Sequence, residues 1–486
     1  MQATERITKM EKYTPKIGVI SLGHATYWPQ FSGLKEELAG KAARFIPYFS
    51  DRVTVEDFGF ADTADSAFEA VRRMVKADLD GLFLVMATYV PSAVGFPFMR
   101  YLKHVPQVLV GIQPLDHLDY KRTTTYMQLC NDDICSMPEF AGVYARMGCP
   151  IPGYLIAAES EREKIAAEVA LWEDAMVARA AFKYATFGYL GHTYDGMYDM
   201  NTDPTAFSRT FGAHVKMLEM CELLDLCRAV TDGEIKRKVE EIRSTFEICD
   251  PSSDPLTDYV QDGDLEIAAR TSVALDRLVD THSLSALAYY YKGEGGNEYE
   301  RIASNLIIGN TLLTSRGIPL AGEADLKTAA AMLIMSKVGG GGSFAELHPF
   351  DVSEDIVLIG HDGPHHIGIA QKKPVLRKLK KFHGKSGSGV SVEFSLKNGD
   401  MSLLSCSVDG KGDLHLIGAL GESMPGDIPM TGNTNTRCHF AVGATEFVRR
   451  WCEAGPTHHL ALGVGNRMEA ISRFARISDI KFTRVL

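Results

Sequence analysis

The sequence has no run of about 18 apolar residues, the length that a membrane-spanning helix requires. Its beginning, Met1 to Lys16, is polar and mixed in charge, without the apolar core of a signal peptide. The net charge of -11 does not suit a protein whose main partner is nucleic acid or an anionic membrane surface. We therefore expect a cytoplasmic protein that binds neither nucleic acid nor membrane.

Disulfide, zinc and phosphate-binding motifs are also missing. The nine cysteines include no C-x-x-C pair and their number is odd, so reduced thiols are expected. No G-x-G-x-x-G follows the first apolar run, and Gly339–Gly342 is not followed by G-K-[ST], so these glycines predict a turn after a helix. Asp199, Asn201 and Asp203 have calcium-loop spacing, but Pro204 replaces the glycine that such a loop needs, and we expect no calcium there.

Short apolar runs alternate with amphipathic stretches from Ile17–Leu22 onward. This alternation predicts parallel β-α-β units, with a ligand crevice at the carboxyl ends of the strands. After Ile356, β-rich segments dominate, and Asn398–Gly399 and Asp409–Gly410 predict hairpin turns between them. At about 150 residues per domain, we predict three domains. Residues 1–182 and 183–325 form two α/β domains with doubly wound parallel sheets, and 326–486 form a mostly antiparallel β domain.

Four short segments in the last third carry residue types that bind metals. They are Ala321–Ala329 with Glu323, Ser343–His348 with Glu346, Ile359–Asp362 with His361, and Gly455–His459 with His458 and His459. Each segment alone is a weak signal. A glutamate in a turn ordinarily starts a helix or faces solvent, and an isolated histidine at a strand end is ordinarily a core residue.

Taken together, the segments resemble the L-arabinose isomerase family. Ala-Gly-Glu-x-Asp-x-Lys-Thr-Ala-Ala at Ala321–Ala330 is similar to a signature of that family, and the other three segments follow in the family's order at similar separations. Lys373–Leu376 and the Gly-Lys-Ser-Gly-Ser-Gly run after it resemble the stretch between the third and fourth segments. The resemblance is strong over residues 310–470 and weaker, though colinear, before them. It implies a metal-dependent aldose–ketose isomerase.

The resemblance implies that Glu323, Glu346, His361 and His459 bind the metal, with His458 the less favoured member of its pair. Two carboxylates and two imidazoles suit Mn²⁺, with Co²⁺ and Mg²⁺ as alternatives, and do not suit a closed structural zinc site. The metal would polarise the carbonyl of an open-chain aldose. The two glutamates would move a proton between adjacent carbons through an enediol.

Further implications concern assembly and positioning. The resemblance implies a homo-oligomer, a trimer or a hexamer, that binds a small sugar. The basic stretch Lys372–Lys385 predicts a solvated face, or a surface that attracts an anionic substrate or a neighbouring subunit. Asp325 and Lys327 would orient Glu323, or else form an ordinary helix start.

The substrate-facing segments depart from the family pattern. Gly23–Tyr27 stands where the family has Gln-His-Leu-Tyr, and Gly191–Met197 where it has Gly-Asp-Asn-Met. In Asn131–Phe140, Cys135 replaces a histidine that would contact the sugar. A pentose other than L-arabinose, a hexose or a deoxysugar is therefore a candidate substrate.

We expect three residues to bind the distal part of the sugar, namely His24, Tyr27 and Met197. The alternative for Tyr27 is packing against Trp28 and Phe31. Two alternative functions stay open. One is a sugar-binding or regulatory protein without turnover, and the other is a metal-dependent sugar-acid lyase or epimerase.

Overall fold

The structure, a computed structural model, describes residues 13–253, 257–292, 295–379, 389–429 and 433–486. They divide into two compact units, Tyr13–Ala180 and Ala181–Leu486. No helix in these ranges has both the length and the apolar character to cross a membrane, and no disulfide links cysteines within them. The predicted boundary near residue 325 falls inside the second unit and stays a prediction.

The first unit is an α/β fold on a five-stranded parallel sheet with the order β2-β1-β3-β4-β5. Its strands are β1 Lys16–Leu22, β2 Thr54–Ala61, β3 Gly81–Met86, β4 Gln107–Gln113 and β5 Gly153–Ala158. Its helices are α1 Leu34–Ala39, α2 Lys41–Phe45, α3 Ala64–Ala77, α4 Ser92–Tyr101, α5 Thr125–Cys130, α6 Ser136–Arg146 and α7 Arg162–Lys183. All six residues of β3 are buried, because helices cover both faces of a parallel sheet.

The second unit begins with a four-stranded parallel sheet of order β11-β10-β6-β7. The strands in this region are β6 Thr186–Leu190, β7 His214–Leu218, β8 Glu247–Ile248, β9 Thr257–Asp258, β10 Ala286–Tyr289 and β11 Leu320–Ala321. The helices are α8 Pro204–Phe211, α9 Met220–Arg228, α10 Asp232–Thr245, α11 Asp262–His282, α12 Glu298–Ala303, α13 Ile307–Ser315 and α14 Leu326–Lys337.

A mostly antiparallel β-barrel completes the second unit. Its strands run in the order β16-β19-β12-β13-β18-β17, and β16 also pairs with β17, which closes the ring. The barrel strands are β12 Gly341–Asp351, β13 Ile356–His361, β16 Gly399–Val408, β17 Leu414–Met424, β18 Thr434–His439 and β19 His459–Val464, and β20 Lys481–Arg484 pairs with β17. Strands β14 Val375–Leu379 and β15 Val390–Glu393 form a separate small sheet with β8 and β9. The last helices are α15 Ala444–Glu453 and α16 Met468–Ile477.

The predicted fold class is confirmed, with two parallel-sheet α/β regions followed by an antiparallel β region. The Asp409–Gly410 turn joins β16 to β17 as predicted. The prediction of a hairpin turn at Asn398–Gly399 is wrong. Gly399 begins β16, whereas the preceding strand β15 pairs with β14. A turn dipeptide between two strands therefore does not require that those strands pair.

Helix α14 positions the candidate site because it packs against both β10 of the parallel sheet and the barrel strands β12, β16 and β19. Its residues Leu326–Met335 are all buried, as expected for a helix enclosed on all sides. The start of α14 therefore lies where the two sheets meet.

Candidate active site

Glu323 lies in a tight 3₁₀ turn, Gly322–Ala324, between β11 and the start of α14. Its backbone is in the left-handed region, with φ 58° and ψ 17°, and Ala324 also has a φ of 58°. Such a conformation costs about 1–3 kcal/mol for a non-glycine residue and is concentrated at functional sites. The backbone N–H of Tyr194 donates to the Glu323 carbonyl at 3.2 Å and supports the turn.

Glu346 lies on β12, between the two strands that carry the histidines. It pairs directly with His459 of β19 on one side and with Gly360 of β13 on the other. His361 follows Gly360 as the last residue of β13. A Cβ atom on Gly360 would lie 1.7 Å from the Thr434 carbonyl oxygen, so only glycine fits beside β18. The antiparallel sheet thus brings together residues that are far apart in sequence.

The structure gathers the predicted ligands in two overlapping groups. Glu346, His361 and His459 offer ligand atoms that all lie within 4.8 Å of one another. Glu323 is joined to them through His459, whose Nε2 lies 3.6 Å from Glu323 Oε2. The ring of Phe344 packs against His361 and His459, with centroid separations of 4.7 and 4.3 Å, and limits the rotation of both imidazoles.

Asp325 fixes the start of α14 and the orientation of His459 together. Its carboxylate accepts the N–H groups of Lys327 and Thr328 as the N-cap of α14. It also accepts hydrogen bonds from Thr328 Oγ1 at 2.8 Å and from His459 Nδ1 at 3.2 Å. The buried Lys327 Nζ lies 3.5 Å from Asp325 and donates to the Met200 carbonyl. Of the two roles expected for Asp325, the structure shows the helix-start role. Its other contact is with His459 rather than with Glu323.

Burial and neighbouring charges separate the pKa values of the site. Burial raises the pKa of Glu323. Burial opposes ionisation of Glu346 as well, but a hydrogen bond from His348 and the nearby His361 and His459 lower its pKa to about 2. Burial lowers the pKa of His459 to about 4, so its ring is neutral at pH 7. With Nδ1 donating to Asp325, the Nε2 lone pair of His459 points into the site.

A small cavity of about 50 Å³ opens beside Glu323 and His361. Asp362, Tyr289 and Tyr291 also line it. Asp362 Oδ1 lies 3.1 Å from His361 Nδ1. These three residues were not among those predicted from the sequence. Asp362 directly follows a proposed ligand, which was a usable signal, whereas the tyrosines end an ordinary apolar run and offered none.

His458 is held by a residue of the suspected calcium motif. Asp199 Oδ2 accepts hydrogen bonds from the His458 backbone N–H at 2.9 Å and from its Nδ1 at 2.7 Å. Asp203 instead caps α8 by accepting the Thr205 N–H. The two aspartates thus have separate structural tasks. His458 also belongs to a possible ligand group with Glu323 and His459.

The three predicted sugar-binding residues fall in different units. His24 and Tyr27 follow β1 in the first unit, with ring centroids 4.9 Å apart, and are partly exposed. Tyr27, Trp28 and Phe31 each pack against one buried cluster that includes Leu34 and Leu38. Met197 belongs to the second unit, in the loop after β6, and is partly buried.

The basic stretch Lys372–Lys385 extends beyond the described residues, because 380–388 lie outside them. Two of its described charges are neutralised within the chain. Arg377 forms a bidentate ion pair with Glu393, and Lys378 pairs with Asp264 at 2.8 Å. The expectation of a solvated basic face is therefore wrong for these two residues, because β14 carries them into the fold.

Comparisons with known proteins bear on this site. Residues 199–341 match the family model of the L-arabinose isomerase central domain. The chain is 23% identical to the L-arabinose isomerase of Klebsiella pneumoniae subsp. pneumoniae over 295 residues, which cover 58% of this chain and 56% of that protein. It is 22% identical to the L-arabinose isomerase of Escherichia coli K12 over 294 residues, with the same two coverages. The chain thus spans about half the length of the curated relatives it matches.

Proposed function

We propose that this chain, which is similar to the L-arabinose isomerases, is a divalent-metal-dependent aldose–ketose isomerase. The substrate would be an open-chain aldose and the intermediate an enediol. One observation carries the proposal: Glu323, Glu346, His361 and His459 converge from β12, β13, β19 and the turn before α14.

The ligand atoms fit a divalent cation. Glu323 Oε2 and His459 Nε2 are buried and have no hydrogen-bond partner among the described residues, although such atoms ordinarily have one. A cation between them would satisfy both. The mixed carboxylate and imidazole set suits Mn²⁺, or Co²⁺ or Mg²⁺, and leaves positions for substrate oxygens.

When bound, the cation would polarise the sugar carbonyl and neighbouring hydroxyl, which makes the adjacent C–H more acidic. Glu323 and Glu346 both lie beside His459 and would share the acid–base work. One carboxylate would accept the proton from C2 and deliver it to C1, while the other would accept the proton of the C2 hydroxyl and deliver it to the C1 oxygen. Such help contributes roughly 10² to 10⁴ in rate.

The surrounding residues would hold these groups in place. Asp325 keeps His459 in the tautomer with Nε2 free, and Phe344 prevents the imidazoles from turning away. His348 Nε2 lies 3.3 Å from Glu346 Oε1, and its Nδ1 pairs with Asn435. Fixed orientation of this kind is needed because a misplacement of about 1 Å can cost 10²-fold in rate.

The identity of the sugar belongs to the same proposal. Asp362 and Tyr291 line the cavity and offer hydrogen bonds to sugar hydroxyls. Met197, which belongs to the same unit as the metal site, would contact its distal part, and the same role for His24 and Tyr27 stays a prediction from the sequence. Because the segments that carry these residues differ from the family pattern, L-arabinose is one candidate among pentoses, hexoses and deoxysugars.

A screen of aldoses tests the proposal. The full chain is stripped with EDTA, supplied with Mn²⁺, incubated with single aldoses, and assayed for ketose by chromatography. We expect one or more ketoses with wild-type protein and none with Glu346→Gln. An epimer or a dehydrated product would favour the epimerase or lyase, and saturable sugar binding without any product would favour a binding protein.

A further inference from the structure

The first unit contains a cavity of about 400 Å³ at the carboxyl end of its parallel sheet. Val85 and Ile112, near the ends of β3 and β4, contribute apolar side chains, together with Phe45 of α2 and Ile165 of α7. The volume falls in the range of roughly 300–1,000 Å³ that is typical of small-molecule sites. Ligands of doubly wound folds bind in this type of crevice.

Cationic side chains surround this apolar floor. Lys41, Arg44 and Arg162 line the cavity, and Glu159 is the one acidic residue among the described lining residues. Arg44 and Glu159 form an ion pair of 3.3 Å in which both side chains are more than one-third exposed, so solvent weakens it. Arg162 is exposed, and no ion pair within the described ranges includes it. The mouth of the cavity therefore carries a surplus of positive charge.

Lys41 is a buried residue of the cavity wall rather than a surface residue. It is 6% exposed, pairs with the buried Asp133, and donates to the Cys130 carbonyl at 3.2 Å. Burial and Asp133 together fix its position without leaving a buried charge uncompensated. The α2 helix that carries it is anchored in turn, because the Ala42 N–H donates to Ser21 Oγ.

The 22-residue helix α7 begins beside the cavity, and Arg162 and Ile165 of its first turn contribute to the lining. The amino end of a helix favours negative charge, by about 0.3–1 kcal/mol at exposed positions. The amino end of α7 therefore adds to the positive potential of Arg44 and Arg162 at the mouth of the cavity. An anionic group at the mouth and an apolar body on the floor would thus meet complementary surfaces.

We propose that this cavity binds a small organic anion, a carboxylate or phosphate ester with a compact apolar ring or alkyl body. The anionic group would lie between Arg44 and Arg162, and the body would contact Phe45, Val85 and Ile112. None of these residues takes part in the proposed isomerase chemistry. The binding site is therefore a second, independent property of the chain.

Four probes separate charge from shape in a ligand-observed NMR titration of the full chain. Benzoate and phenyl phosphate carry both the ring and the anion, benzyl alcohol carries the ring alone, and inorganic phosphate carries the anion alone. We expect benzoate and phenyl phosphate to bind saturably at about millimolar concentration or below, and benzyl alcohol and inorganic phosphate to bind at least about fivefold more weakly.

Substitution then locates the binding site. Arg162→Gln and Arg44→Gln should each weaken phenyl phosphate binding by about fivefold or more, because each removes a charged hydrogen-bond donor. The control is Arg146→Gln, an exposed arginine in the last turn of α6, which should leave binding unchanged. No saturable binding of either aromatic anion, or equal binding by all three variants, would overturn the proposal.

Discussion

Asp325 connects three parts of the site through one carboxylate. It caps α14, pairs with the buried Lys327 and holds His459 Nδ1. Burial favours the neutral acid, but the Lys327 charge and the His459 and Thr328 hydrogen bonds hold the pKa of Asp325 well below its usual range. Asp325 is therefore negatively charged in the folded protein, and its charge contributes to the stability of the site.

Asp325→Asn should weaken Mn²⁺ binding by about 10- to 100-fold, because His459 loses its orienting carboxylate. It should also lower the free energy of unfolding by about 3–5 kcal/mol, since Lys327 stays buried without a charged partner. Isothermal titration and urea denaturation measure the two effects. Asp203→Asn, at the exposed N-cap of α8, is the control. Unchanged Mn²⁺ affinity in Asp325→Asn would show that the contact with His459 does not position a ligand.

Glu323→Gln and Glu346→Gln should each lower the rate of isomerisation by about 10²-fold or more, while circular dichroism stays unchanged. The amide keeps the shape of each side chain but neither accepts a proton nor binds a cation well. Glu422→Gln, at an exposed position of β17, should retain full activity. Near-normal turnover in either active-site variant contradicts the proposed acid–base pair.

The candidate ligands could be predicted from the sequence because each lies in a short segment, and the four segments follow in a recognisable order. The residues that contact these ligands could not be predicted in this way. Phe344, His348 and Asp362 lie within or beside the same segments, but only the paired strands show that Phe344 packs on two imidazoles and that His348 reaches Glu346. Asp199 contacts His458 across 259 positions of sequence, a separation at which no spacing rule operates.

At the level of elements, the amphipathic helices and apolar strands were largely predictable. The helix over Ala64–Ala77 follows from its periodicity and the Thr63–Ser66 capping box. Strand β5, Gly153–Ala158, is hard to predict from sequence because alternate residues are partly or fully exposed and the apolar run is short. The glycine run was also incompletely interpreted. Gly339 does turn the chain after α14, but β12 already begins at Gly341.

Gly360 lies where β18 packs directly against the metal-binding end of β13. A Cβ atom 1.7 Å from the Thr434 carbonyl would push the two strands apart and move His361. Gly360→Ala should therefore lower the free energy of unfolding by about 1–3 kcal/mol and weaken Mn²⁺ binding. Gly410→Ala places its methyl group in open space and is the control. Equal stability of the two variants in urea would refute the steric argument.

At the level of the whole molecule, composition and alternation sufficed for the fold class but not for the way the second unit is built. Its parallel sheet and its barrel belong to one compact unit, and α14 packs on both. No local pattern encodes that packing, because residues of α14 are buried on all sides and its sequence does not show which sheet each side contacts.

The resemblance to L-arabinose isomerases leads us to expect a homo-oligomer, a trimer or a hexamer. Arg377 and Lys378 do not contribute to such an assembly through free charge, since each already pairs with an acid of its own chain. Light scattering at micromolar concentration measures the mass directly. A mass of 53.4 kDa, that of one chain, would contradict the expectation.

Metal binding should also stabilise the second unit as a whole. The four proposed ligands come from β12, β13, β19 and the turn before α14, so a cation would join the barrel to the helix that packs on the parallel sheet. A ligand that binds only the folded state adds about 2.7 kcal/mol at 100 times its dissociation constant. We therefore expect Mn²⁺ to raise the midpoint of thermal unfolding, and EDTA to reverse both this shift and any isomerase activity. Glu346→Gln should show a smaller shift in the unfolding midpoint, and Glu422→Gln should show the full shift.

Because this experiment measures stability, it tests the metal site even before a substrate is known. If Mn²⁺, Co²⁺ and Mg²⁺ all leave the unfolding midpoint unchanged, these four residues do not hold a divalent cation.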